Sequence, residues 1–346
     1  MPDRAQPKKE REMKQHTLSI GAVAFGAVMI GGAAWADCGP IKIASMTWQS
    51  AEVTAELDKM ILENGYGCDV EIVPGDTVPS LTSIIEKQSP DVIPEGWVSL
   101  QPELVSNGEA DGRIKLTVDV LSDGGVNGWW IPKYTAEAHP EIKSIPDALD
   151  HPELFPAPED PSKGAVFNGP QGWGSTLITS QMFKAYGGVE KGFVLVDPGS
   201  AAGLDGAIAR AYERHEPIIT FYWAPTAILG KYPMVRLDFA APKDDAEWAR
   251  CMTVEGCPDP KPGVWPADRV ATVLSSDYYN RAEPEVLDYF KSRSWSNETV
   301  STLLSHMTDV QATGEDGARY FLMTYPDVWK KWVTPEAAEK IEASLK

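Results

Sequence analysis

Basic residues are scarce in this chain: 31 Lys and Arg stand against 50 Asp and Glu, a formal charge of −19. A surface of that sign repels phosphate backbones and anionic lipid, which argues against nucleic acid as a partner. Histidine is scarcer still, with five among 346 residues. Those beyond residue 36 are His139, His151, His215 and His306, and none sits in an HExxH pattern. His215, between Arg214 and Glu216, reads as a solvated helix end. GxSxG and CxxC are absent as well. No peptidase, hydrolase or thiol-redox centre is therefore written in the sequence, and neither catalytic residues nor a cofactor are expected. A secreted enzyme is the remote alternative. Beyond residue 36 no apolar run is long enough to cross a bilayer, and there is no internal repeat, heptad or low-complexity tract.

The N-terminus sets the compartment. Arg4, Lys8, Lys9, Arg11 and Lys14 precede an uncharged stretch over residues 18–36 that ends in Ala34-Trp35-Ala36. Basic residues, an apolar region and small residues at −3 and −1 predict a signal peptide over 1–36, cleaved after Ala36. Asp37 occupies the place before Cys38 where lipid attachment needs a small residue, so the exported protein is read as free rather than lipid-anchored. Cleavage removes five basic and three acidic residues; 26 basic and 47 acidic remain, a charge of −21. The four cysteines then meet an oxidising compartment. Cys251 and Cys257 close a short loop and are expected to pair, which leaves Cys38 with Cys68. With no CxxC and no adjacent His, a zinc site is not expected.

About 310 residues suit two domains. Runs at 41–46, 69–73 and 91–94 read as strands, alternating with helical spacing over 51–64 and 78–87. Further strands are predicted at 115–120 and 128–132, near a crossover. Residues 140–163, rich in Pro, Asp and Glu, form a surface excursion. The alternation resumes with strands at 165–168, 193–196 and 218–223 and helices at 175–186 and 201–212. A Pro- and Gly-rich stapled loop at 251–266 follows, and then helices at 284–291, 298–307, 314–325 and 335–345. Strands alternating with helices predict an α/β fold with parallel, doubly wound sheets. One lobe is assigned to 37–131 plus about 238–346, the other to about 132–237.

Tryptophan is abundant: twelve in all, eleven of them beyond Trp35. Trp48, Trp97, Trp173 and Trp223 fall at or just beyond the carboxyl ends of predicted strands, where open α/β sheets bind ligands. Trp129 and Trp130 are consecutive, so on a strand only one can enter the cleft. Trp248, Trp265, Trp295, Trp329 and Trp332 follow no such pattern and read as ordinary packing. Indole faces attract a cation by ~0.5–2 kcal/mol per contact. A trimethylammonium group has no N–H to satisfy and is cheap to dehydrate, so several rings predict a methylated ammonium ligand, with sugar stacking as the alternative. The turn from Asn168 to Thr176 leads into a helix. The amides of Gly174, Ser175 and Thr176 are thus expected to receive an anionic oxygen; Ser175 capping the helix is the plainer reading, and the two are compatible. Glu95, beside Trp97, either joins the cage or points to solvent.

The ordered segments Thr47-Trp48, Pro94-Glu95-Gly96-Trp97, Gly128-Trp129-Trp130-Ile131-Pro132, Gly169-Pro170-Gln171-Gly172-Trp173-Gly174 and Phe221-Tyr222-Trp223-Ala224-Pro225 resemble the substrate-binding proteins of ABC importers for glycine betaine, proline betaine and choline. Trimethylamine N-oxide receptors are relatives of that family. The resemblance covers essentially everything after residue 36. It implies a type II periplasmic-binding-protein fold with two lobes joined by a hinge, and a periplasmic monomer that serves an inner-membrane permease and its ATPase. It further implies an aromatic box on Trp48, Trp97, Trp130 and Trp223, with Trp173 beside it. Gln101 stands where some relatives carry a carboxylate-contacting His, and Ser50 where choline binders carry an acid. These departures keep trimethylamine N-oxide or a sulfonium compound alongside betaine and choline as candidates.

Overall fold

The computed structural model describes residues 38–346. The cleavage site and the segment before it lie outside the described residues. Two five-stranded sheets organise the chain. The first is built from β1 (Pro40–Ser45), β2 (Asp69–Pro74), β3 (Val92–Trp97), β4 (Ile114–Asp119) and β10 (Val270–Ser275), in the order β2-β1-β3-β10-β4. The second is built from β5 (Val126–Pro132), β6 (Gly164–Phe167), β7 (Phe193–Val196), β8 (Ile219–Ala224) and β9 (Met234–Arg236), in the order β7-β6-β8-β5-β9. Helices flank both, giving the two-lobed α/β architecture.

The alternation of strands and helices predicts parallel sheets, but the observed sheets are mixed. β1 runs parallel to β2 and β3, and β6 to β7 and β8. β10 is antiparallel to both β3 and β4, and β5 is antiparallel to β8 and β9. Both exceptions follow from the crossovers. A strand that arrives from the other lobe enters the sheet from the end its neighbours leave. β10 escapes the sequence reading although Val-Ala-Thr-Val-Leu-Ser is a β-prone run with every residue buried. Its signal is a short apolar stretch amid helical sequence, which periodicity alone cannot assign.

β5 hydrogen-bonds in the second sheet from Val126 onward. The chain thus passes from first sheet to second between Asp119 and Val126 and returns between Arg236 and Val270. The two crossing segments pair with each other at Gly125 and Asp268, whose backbones exchange hydrogen bonds of 2.8 and 2.9 Å.

The helix Gln49–Ile61 buries Val53, Leu57 and Ile61 beneath the first sheet, the 3.6-residue pattern of a core-facing helix. The helix Asn297–Val310 shows the same spacing with Val300, Leu303, Leu304 and Met307 buried, packed against neighbouring helices that include Gln49–Ile61. Disulfides join Cys38 to Cys68 and Cys251 to Cys257. The first ties the start of β1 to the start of β2. The second closes a loop that docks on the helix Gly174–Ala185: Gln181 Nε2 donates to the Val254 carbonyl at 2.6 Å and Lys184 Nζ to that of Cys257 at 3.0 Å.

Candidate functional site

The site grows from strand ends. Trp48 follows β1 and precedes the helix Gln49–Ile61 in an extended conformation, as the residue before a helix usually does. Trp97 is the last residue of β3. Trp173 precedes the helix Gly174–Ala185 after β6, and Trp223 lies near the end of β8. These four rings, with Phe221 and Leu100, surround a cavity completed by Thr77, Asn127 and Ser175. The space free of protein atoms at this lining, open solvent included, is about 260 Å³. All four indoles are buried. Trp173 is the hub: it meets Trp48 edge-on at 5.5 Å between centroids and Trp223 edge-on at 5.0 Å. Behind the wall, Phe221 stacks on Trp265 at 5.8 Å and Trp265 contacts Trp248. Two tryptophans that read as ordinary packing therefore brace the box.

Trp130 stands apart from the other four. Antiparallel pairing sets Asn127 opposite Trp223 and Trp129 opposite Phe221, on one face, and Trp130 opposite Thr220. Alternation turns Trp130 to the other face, where its Nε1 donates to the Tyr222 carbonyl at 2.9 Å. Trp130 is not among the lining residues, and Phe221 fills the wall instead. Trp129 shares the cavity's face but is fully buried one pair further along.

Glu95 belongs to the site without lining it. On β3 it lies two residues from Trp97 and so on the same face. Its Oε1 accepts from Trp48 Nε1 at 2.7 Å, Ser50 Oγ at 2.9 Å and Trp97 Nε1 at 3.0 Å. Burial pushes its carboxyl pKa up, while these donors and the nearby Arg293 pull it back. Arg293 is itself buried and reaches Pro94 O (3.0 Å), Thr272 Oγ1 (2.7 Å) and Asp58 Oδ1 (2.7 Å). Asp58, raised to about 6 by burial, accepts from Tyr289.

Gly174 and Ser175 begin the helix with no side-chain cap; Ser175 lines the cavity, and Gly174 packs against Leu100 and Gln101 of the facing lobe. Free first-turn amides beside a cavity favour a negatively charged oxygen. Asn127 is a lining residue that the sequence reading misses. It donates through Nδ2 to the buried Asp268 at 2.6 Å, and desolvation raises that carboxyl to about 7. An isolated Asn on a strand offers no sequence signal; only the crossing segments bring the pair together.

Contacts also bridge the cleft. Trp173 Nε1 donates to Asp76 Oδ1 at 3.0 Å and to Thr47 Oγ1 at 3.1 Å, and Val78 N donates to Gly172 O at 3.1 Å. Gly172 has φ +94°, and an added Cβ would lie 3.4 Å from Asp76. Here glycine supplies the left-handed turn, and a side chain would meet Asp76 only at ordinary contact distance.

The model of the substrate-binding domain of ABC-type glycine betaine transport systems matches residues 39–324. The chain belongs to this family. As a glycine betaine-type substrate-binding protein it shares its fold with several solved structures. A choline-binding protein in complex with choline superposes with TM-score 0.69 at 19% identity, over 89% of this chain and 99% of that one. The glycine betaine/L-proline-binding protein from Borrelia burgdorferi gives 0.67 at 17%, over 87% and 99%. The lactococcal protein in its closed form with glycine betaine gives 0.64 at 17%, over 86% and 100%. Identities this low show the fold, while the family match shows an ABC transport receptor.

Proposed function

We propose that this receptor captures a small osmolyte bearing a methylated ammonium head, in the periplasm, and presents it to an inner-membrane permease and its ATPase. The lobes divide at the crossing segments, near residue 125 and again before residue 270, and close around the ligand by hinge motion. Trp48, Trp97, Trp173 and Trp223 form the box, with Phe221 as its fifth wall. The first-turn amides at Gly174 and Ser175, with Thr77 and Asn127, receive an oxygen of the ligand. Glycine betaine and trimethylamine N-oxide fit this division, since both join a methylated cation to an anionic oxygen.

The observation that carries the reading is the convergence of four indoles from both lobes on one cavity, with no basic side chain among its described lining residues. Each ring contributes ~0.5–2 kcal/mol towards a cation, and a head without N–H groups leaves no donor unsatisfied. A sugar would need several polar partners, whereas the lining offers Thr77, Asn127 and Ser175.

Calorimetry on the cleaved protein against glycine betaine, trimethylamine N-oxide, choline and dimethylsulfoniopropionate tests this. Exothermic binding of at least one compound is expected, with a change in tryptophan fluorescence and recovery of the ligand intact. Silence across the whole panel, or binding of a neutral sugar instead, would overturn it.

A further inference from the structure

We infer that Glu95 is the specificity-determining anion of the box, acting on the ligand's charge through Trp48 and Trp97 rather than by touching the ligand. The inference rests on the cavity reading above and concerns a residue that forms no part of the lining. One carboxylate oxygen gathers three donors, two of them the indole N–H groups of the two first-lobe tryptophans. An indole N–H can only donate, so Oε1 must stand as an acceptor. A hydrogen bond from an indole to a carboxylate is charge-assisted, and it pushes electron density into the ring whose face meets the ligand.

The surrounding charges compensate that carboxylate only in part. Arg293 is the cation that faces Glu95, and it is already paired with Asp58 at 2.7 Å within the same buried layer. Two carboxylates thus share one guanidinium, while the other oxygen of Glu95, Oε2, is buried with no hydrogen-bond partner among the described residues. A buried net negative charge is costly. The space beside it, on the far side of the two rings, is the ligand cavity. A cation placed there lowers the cost of the buried charge, whereas a neutral ligand of identical shape does not. Glu95 also fixes both rings, and the hydroxyl of Ser50, by donating to the same oxygen, locks its rotamer.

Isosteric ligand pairs separate charge from shape. Choline against 3,3-dimethylbutan-1-ol, and glycine betaine against 3,3-dimethylbutanoate, exchange only a quaternary nitrogen for a quaternary carbon. The pair used is the one whose cation the unmodified protein binds. Glu95→Gln keeps an acceptor for both indoles and removes the charge. The expected result is a loss of about tenfold or more in affinity for the nitrogen compound, with the carbon compound within about twofold. Equal weakening of both would reduce Glu95 to a structural support and overturn the inference, as would unchanged affinity for the cation. Failure of the unmodified protein to bind any methylated ammonium compound would instead sink the cavity reading itself. Should the variant not fold, ¹⁵N-indole spectra of the unmodified protein decide. The Trp48 and Trp97 N–H signals are expected to be protected from solvent exchange and displaced downfield. Rapid exchange at both would overturn the proposal.

Discussion

The indole N–H of Trp173, in the second lobe, donates across the cleft to Asp76 of the first at 3.0 Å. The same ring walls the cavity and touches both Trp48 and Trp223. Under the proposed function, one side chain would thus join ligand contact to closure of the lobes. Thr47 Oγ1, which donates to Asp76 at 2.8 Å, completes the latch.

Removing the donor while keeping an aromatic wall should separate these two roles. Trp173→Phe is expected to enlarge the ligand-free radius of gyration in small-angle scattering and to weaken binding by roughly tenfold, the equivalent of one lost charge-assisted hydrogen bond. Asp76→Asn, which retains an acceptor, should fall between that variant and the unmodified protein. Unchanged scattering and affinity for Trp173→Phe would mean that the bridge has no part in closure.

Gly125 makes room for Trp97. A Cβ there would lie 2.2 Å from Cζ3 and 2.5 Å from Cη2 of the ring. A rigid indole held by Glu95 cannot yield cheaply, so Gly125→Ala should tilt Trp97 and cost about tenfold or more in ligand affinity, with a smaller effect on melting temperature. Calorimetry beside thermal melts checks the split. Intact affinity would show that the ring has freedom to move.

Asp268 makes stability depend on pH in a defined direction. Its carboxyl rises from 3.8 to about 7 because folding buries it. The folded state therefore holds the proton more tightly than the unfolded one. Stability from this group is fully present below about pH 4 and is lost as pH climbs through about 7. Asp205, raised to about 6 by burial, adds in the same sense. Asp268→Asn, which can still accept from Asn127, should raise the melting temperature at pH 8 and change it little at pH 4. The ceiling is ~4 kcal/mol, the worth of a proton affinity that differs about a thousandfold between folded and unfolded states. An equal effect at both pH values would contradict this assignment.

The Cys251–Cys257 bridge closes a six-residue separation, for which loop entropy gives about 2 kcal/mol. The double substitution to Ala should lower stability by about that amount in urea titration. Because the loop docks on the helix that opens at the cavity, ligand affinity should fall too. Full affinity with reduced stability would confine the bridge to folding.

Much of the candidate cavity's lining is legible in local sequence. Trp48, Trp97, Trp173 and Trp223 stand out because a ring at the carboxyl end of a strand is a positional signal that needs no partner. The cysteine pairs follow from short separation and elimination. Trp130, expected in the box, lies outside the cavity's described lining for the opposite reason: of two consecutive residues on a strand, pairing with β8 decides which face each takes, and the adjacent sequence does not encode that register. β10 goes unseen because its partners, β3 and β4, lie about 150 residues or more away along the chain.

The sequence alone determined the acidic surface, the strand and helix alternation and the clustering of indoles at strand ends, since each arises from composition or from neighbours within a few residues. Tertiary structure alone decided that Glu95 turns inward beneath two rings, that Asn127 meets Asp268 at the crossing, and that Trp173 bridges the cleft. Each of these is a contact between segments brought together by long-range pairing. A carboxylate two residues from a tryptophan is the same string of letters whether it faces water or two indole N–H groups; only the packed strands around β3 distinguish the two.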